Sequence, residues 1–189
     1  MTPESSSALA GLAALNHGIL VEVRQLLRKE PKAMESHLAM MSNAADVLRD
    51  APDSALDRAA HTGVCVMVVN KDYIERAIDG RSTPTPLPGF TAEGAQQILA
   101  INAALLNALD EFIRLEQSRA QIAFSAPPAI CDMVRAVDPI AKGRLYNRLT
   151  QLFLPRYSTG DDIKRLLFGM DDPLCSGPAI AYLRSAKLN

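Results

Sequence analysis

Side chains able to do chemistry are few and scattered in this sequence. Cys65 follows His61 by four residues, a spacing that sets two ligands on one helix face. Gly63 between them breaks that geometry, and two donors do not make a zinc site, so Cys65 reads as a buried structural thiol. His17 and His37 fall in amphipathic stretches and read as surface or half-buried helix residues rather than ligands. The acidic pairs Asp161-Asp162 and Asp171-Asp172 can in principle bind a divalent ion, yet acidic pairs beside glycine are more often turns and caps. A Gly-rich phosphate loop, HExxH and GxSxG are all absent. The expectation is therefore a protein without catalytic residues, cofactor or metal.

The strongest charge signal lies between Pro139 and Tyr157, where Lys142, Arg144, Arg148 and Arg156 occur without an acidic residue. Arg144 and Arg148 stand four apart and share a helix face. On the second helix of a helix-turn-helix, such a segment sets cations against phosphates, which makes these four the candidate DNA-binding residues. A solvated basic face is the alternative. The formal net charge of the whole chain is −1, so any DNA role must rest on this local patch or on a partner.

Positioning such a segment falls to a repeated helical pattern. Ile98 to Phe124 reads as one long amphipathic helix, with Ile98, Ile101, Leu105, Leu109, Phe112 and Leu115 on a single face. Leu12 to Leu38 lays down the same pattern earlier, and Asn16 matches Asn102 at an offset of 102 − 16 = 86 positions. Leu26 and Leu27 fall on Phe112 and Ile113, which makes these four the candidate repeat–repeat interface. Within the first copy, Pro31 is where the long helix should bend or break. A short helix from Asn43 to Arg49 then meets Asp50-Ala51-Pro52 and a helix from Asp53 to Ala60, the outline of a helix-turn-helix. Ile130 to Ala136, Val137-Asp138-Pro139 and a helix running toward Leu152 repeat that outline.

The apolar run Val64 to Val69 predicts a short buried strand or extended segment, with Leu152-Phe153-Leu154 as its counterpart and Pro155 barring the latter from a central position. Asp72 to Ile78 and a stretch around Asp161 to Arg165 close the two copies. The expected organisation is a first repeat over 1–78, a Pro/Gly-rich linker over 79–91, a second repeat over 92–170 and a tail over 171–189. The fold class is mainly α: a duplicated helical unit with helix-turn-helix-like segments that forms an intrachain pseudo-dimer.

Composition agrees with a helical core, since aromatic residues make up 5% of 189 and tryptophan is absent. Three widely spaced cysteines, Cys65, Cys131 and Cys175, argue against a disulfide framework and for a reducing compartment. The first residues make a poor signal peptide, and no apolar run approaches the roughly 20 residues of a membrane span. A cytoplasmic location without membrane contact is expected.

With these landmarks placed, each copy resembles FlhD, a subunit of the bacterial flagellar transcription activator. The resemblance rests on LAALNHGIL at 12–20 and ILAINAALL at 98–106, on a second helix leading to a Pro-led third, and on the extended Val64-Cys65 segment. FlhD-type chains carry one such unit and pair with themselves, so this chain resembles a fused dimer. The resemblance implies a transcription-regulator subunit that assembles with an FlhC-type partner, binds promoter DNA jointly with it and contacts RNA polymerase. The competing expectation is an anti-activator or chaperone-like interaction module that sequesters a partner without binding DNA.

Overall fold

The computed structural model describes residues 3–78, 89–146 and 151–169, without the side chains of residues 3–9, 139, 144 and 146. Helix α1 (Pro3–Lys29) buries Leu12, Asn16, Ile19, Leu20, Val23, Leu26 and Leu27. Those steps of three and four form one stripe along the helix. As expected, the helix stops ahead of Pro31, which lacks a backbone donor and opens α2 (Pro31–Leu38). Ala39 ends α2 in the left-handed region at φ 50°. Then follow α3 (Ser42–Arg49), α4 (Asp53–Ala60), β1 (Met67–Val69) and α5 (Lys71–Ile78).

The same order of elements comes a second time, as α6 (Ala92–Leu115), α7 (Gln117–Phe124), α8 (Pro128–Ala136), α9 (Pro139–Tyr146), β2 (Phe153–Pro155) and α10 (Gly160–Phe168). Ser125 closes α7 at φ 51°, as Ala39 closes α2. Among the described residues the chain is thus mainly helical, with a single two-stranded sheet. No helix among them is long and apolar enough to cross a membrane.

Two helical expectations are corrected. The stretch from Ile98 to Phe124 is two helices, because Glu116 is extended at φ −165° and ψ 115°. In a straight helix Phe112 and Phe124 would lie about 18 Å apart along the axis. The break instead folds α7 back so that their rings meet edge to face, with centroids 5.6 Å apart. Leu115, in the last turn before that break, is left 52% exposed rather than joining the apolar face. The helix from Pro139 does not reach Leu152 either, since Gln151 and Leu152 are already non-helical and lead into β2.

Strands β1 and β2 run antiparallel, with Val68 opposite Leu154, Met67 opposite Pro155 and Val69 opposite Phe153. In a sheet of two strands both are edges, so Pro155 is tolerated. Two further bonds flank the ladder as mirror partners. Asn70 N donates to Leu152 O at 2.9 Å, and Arg156 N donates to Val66 O at 2.8 Å. The closing helices are exchanged across this ladder. Helix α5 packs on α8 and α9, whereas α10 packs on α3 and α4. Buried residues from both stretches consequently form one continuous hydrophobic core.

Candidate partner-binding surface

Two of the four candidate DNA-binding residues, Lys142 and Arg156, are engaged within the chain. Lys142 Nζ donates to Asp110 Oδ1 at 2.7 Å, with both side chains only 16% exposed. Arg156 is held by carbonyl groups: its Nε donates to Cys65 O at 2.8 Å and its Nη2 to Ala123 O at 2.8 Å, while Nη1 reaches Ser125 Oγ at 3.0 Å. Burial draws the pKa of this guanidinium below its usual value. The backbone of Arg144 lies in α9, and Arg148 falls outside the described residues. Sequence spacing showed four unopposed cations because Asp110 lies on α6, far away along the chain. In the earlier stretch, α4 exposes Asp53 and Asp57 beside Arg58.

Leu26, Leu27, Phe112 and Ile113 are all buried in the shared core. Phe112 makes its aromatic contact with Phe124 of its own half. Polar bonds between the long helices lie elsewhere. Gln97 Nε2 donates to Glu22 Oε2 at 3.2 Å, Lys29 Nζ to Glu93 Oε1 at 2.7 Å, and Thr91 Oγ1 to Glu30 Oε1 at 2.6 Å. Residue numbers rise along α1 as they fall along α6, so the two helices run antiparallel. The Glu30 carboxylate also accepts from Thr91 N, and a Cβ on Gly94 would meet it at 2.5 Å. The end of the expected linker is therefore fixed on the α1–α2 junction; residues 79–88 of that linker lie outside the described residues, as does the tail over 171–189.

Asn16 has a specific task. Fully buried on α1, it donates from Nδ2 to Ala60 O at 3.1 Å and Val64 O at 2.8 Å, and its Oδ1 accepts from Val66 N at 3.0 Å. One amide thus satisfies three backbone groups of the segment that leads from α4 into β1. Asn102 is buried at the matching place on α6.

Among the described residues, the remaining chemical candidates make packing, ion-pair or capping contacts. His17 Nε2 lies 3.0 Å from the Asp57 carboxylate on the surface. His37 is buried edge-on against Phe90 with centroids 5.8 Å apart, and burial lowers its pKa to about 4. The Cys65 thiol is buried and pushed up to about 12, which keeps it protonated and unreactive. Thr159 caps α10, its Oγ1 accepting from the Asp162 N–H at 3.2 Å, and Asp162 lies in the first turn. Asp171-Asp172 and Cys175 lie outside the described residues. Among the described residues no three His, Cys, Asp or Glu side chains come together as a metal site.

One surface feature was missed in the sequence. An open groove of about 730 Å³ runs between α1 and α6, floored by Leu15, Ile19 and Ile101 and recessed at Ala14, Gly18, Ala100 and Ala104. Its polar wall is Glu22, Glu93, Gln96, Gln97 and His17, with no lysine or arginine. The signal was present: Ala14 and Gly18 recur as Ala100 and Ala104 at the offset that relates Asn16 to Asn102. Small residues carry little weight in a hydrophobic pattern, so the periodicity passed over them. Set against protein-family models, curated proteins and solved structures, the chain matches none.

Proposed function

We propose that this chain is a non-enzymatic, cytoplasmic subunit of a transcription-regulating complex, a fused FlhD-like pseudo-dimer that recognises promoter DNA through an FlhC-type partner. The reading treats the two stretches as copies of one unit, and α3–α4 and α8–α9 as its helix-turn-helix-like segments. The observation that carries it is the Asn16 contact. The asparagine of LAALN and the Val64-Cys65 segment, two separate motifs behind the FlhD resemblance, are hydrogen-bonded to one another. A pseudo-twofold arrangement is further supported by the ladder centred on Val68 and Leu154 and by the exchanged α5 and α10.

The partner supplies the phosphate contacts in this reading. Lys142 is already paired with Asp110, and Arg156 with backbone carbonyls. Binding strength to DNA follows the number of cations that displace counterions, so a segment whose Lys142 and Arg156 are already engaged binds weakly alone. That same observation favours a second reading, in which the module sequesters a protein and never reaches DNA.

Affinity purification of the tagged chain from its native cell at moderate salt separates the two. A cysteine-rich partner recovered together with promoter fragments is the expected outcome. Recovery of a partner without DNA transfers the conclusion to sequestration, and tight partner-free binding of the purified chain to any DNA overturns the partner-dependent scheme.

A further inference from the structure

We infer that the α1–α6 groove is the seat of a basic amphipathic helix contributed by a protein partner. This rests on the regulator reading above only in naming the partner; the groove itself is a separate feature.

Shape selects a helix. The recess spans Ala14 to Glu22 on α1 and Glu93 to Ala104 on α6, which at the helical rise is about 12 and 16 Å, or two to three turns. Its walls are side chains of two antiparallel helices and offer no strand edge. An incoming segment must therefore satisfy its own backbone groups, as a helix does. Ala14, Gly18, Ala100 and Ala104 leave room for a ridge of larger apolar side chains to descend onto Leu15, Ile19 and Ile101. At Gly18 an added Cβ would meet nothing within 4 Å, so the space above it is open.

Charge selects the partner's sign. Glu22 and Glu93 line the groove together with His17, and no lysine or arginine does. Lys29 engages Glu93 from outside the recess, whereas Glu22 receives only the Gln97 amide. A lysine or arginine beside the apolar ridge of the incoming helix supplies the opposite charge to Glu22 and Glu93. A second copy of this chain brings the same two glutamates to the same place, and like charges oppose that pairing.

The test places a photo-cross-linking residue at Gln96, an exposed rim position, in the tagged full-length chain expressed in its native cell. Cross-linked peptides are identified by mass spectrometry, and the chain carrying Gly18→Leu, which fills the recess, serves as the comparison. The expected product is a peptide of another protein with apolar residues at helical spacing and flanking lysine or arginine. Its recovery should fall at least tenfold with Gly18→Leu, while the circular dichroism and melting temperature of the variant match the parent. Cross-links to a second copy, to residues 170–189 of the same chain or to acidic peptides overturn the inference, as does an absence of specific cross-links or recovery unchanged by Gly18→Leu. Promoter DNA is measured in the same eluates. DNA recovered with a partner cross-linked elsewhere sinks the groove alone, whereas a basic helix in the groove without DNA sinks the regulator reading alone.

Discussion

Arg24 and Asp110 stand at the same step of α1 and α6 and carry opposite charge, yet each ties its long helix to the corresponding later helix. Arg24 Nη2 reaches Asp53 Oδ1 at 2.6 Å in α4, and Asp110 Oδ1 receives Lys142 Nζ at 2.7 Å from α9. The tie is kept while its polarity is reversed. A strict homodimer cannot do this, because one sequence would place the same charge at both sites.

Removal of Lys142 should be felt as lost stability before anything else. Lys142→Ala leaves Asp110 half-buried with only Arg114 beside it; the expected loss is about 1 to 3 kcal/mol in urea unfolding. The double variant Asp110→Ala, Lys142→Ala should lose less than the sum of the two single changes. Unchanged stability for Lys142→Ala would return this lysine to the list of free cations.

Asn16→Ala strips partners from Ala60 O, Val64 O and Val66 N at once. An unfolding loss of about 2 to 4 kcal/mol is expected, since each buried group left unsatisfied carries roughly 1 kcal/mol or more. Hydrogen exchange at Val66 should accelerate in the same variant. Exchange that stays slow would mean that the neighbouring ladder, and not Asn16, protects that amide.

For the core, Phe112→Ala is expected to lower stability by about 3 to 5 kcal/mol. Leu115→Ala, at a 52% exposed position, should change it by less than about 1 kcal/mol. Similar losses at the two sites would contradict the break at Glu116, which is what separates their environments.

Acid should act through His37. Its folded pKa is about 4 against 6.5 for the free side chain, so between these values the unfolded chain takes up a proton that the folded chain does not. Stability therefore falls as pH drops through this window and levels off below it, by up to about 3 kcal/mol. Denaturant midpoints measured from pH 7 to pH 4 should be flatter for His37→Leu than for the parent. Parallel curves would show that His37 accepts its proton without penalty in the folded state.

Much of the architecture was legible because it is local or periodic. Pro31 announces the end of α1, Pro52 and Asp53 the start of α4, and the Val64 run a strand, formed over its last three residues. What escaped depends on residues distant in the chain. Nothing near Glu116 resembles a breaker; the helix ends there because folding back brings Phe124 onto Phe112. Equally, no local feature of α5 or α10 tells which half it joins, since an apolar stripe fits either seat. The pairing of Lys142 and Arg156 was hidden for the same reason: their partners, Asp110 and the carbonyls of Cys65 and Ala123, lie in other elements. The paired small residues that recess the groove were readable only through the offset.

The exchange of α5 and α10 also sets a timetable for synthesis. When Ile78 has been made, α3 and α4 still lack the helix that covers them, and α5 has no seat at all. That seat is complete only after α8 and α9, and the cover arrives with Phe168, 168 − 78 = 90 residues later. At roughly 5 to 20 residues per second the nascent first half waits about 5 to 18 s with an apolar face bare. Ribosome-bound chaperones should therefore hold this chain longest between those two points, and codons that slow translation there should lower the yield of folded protein.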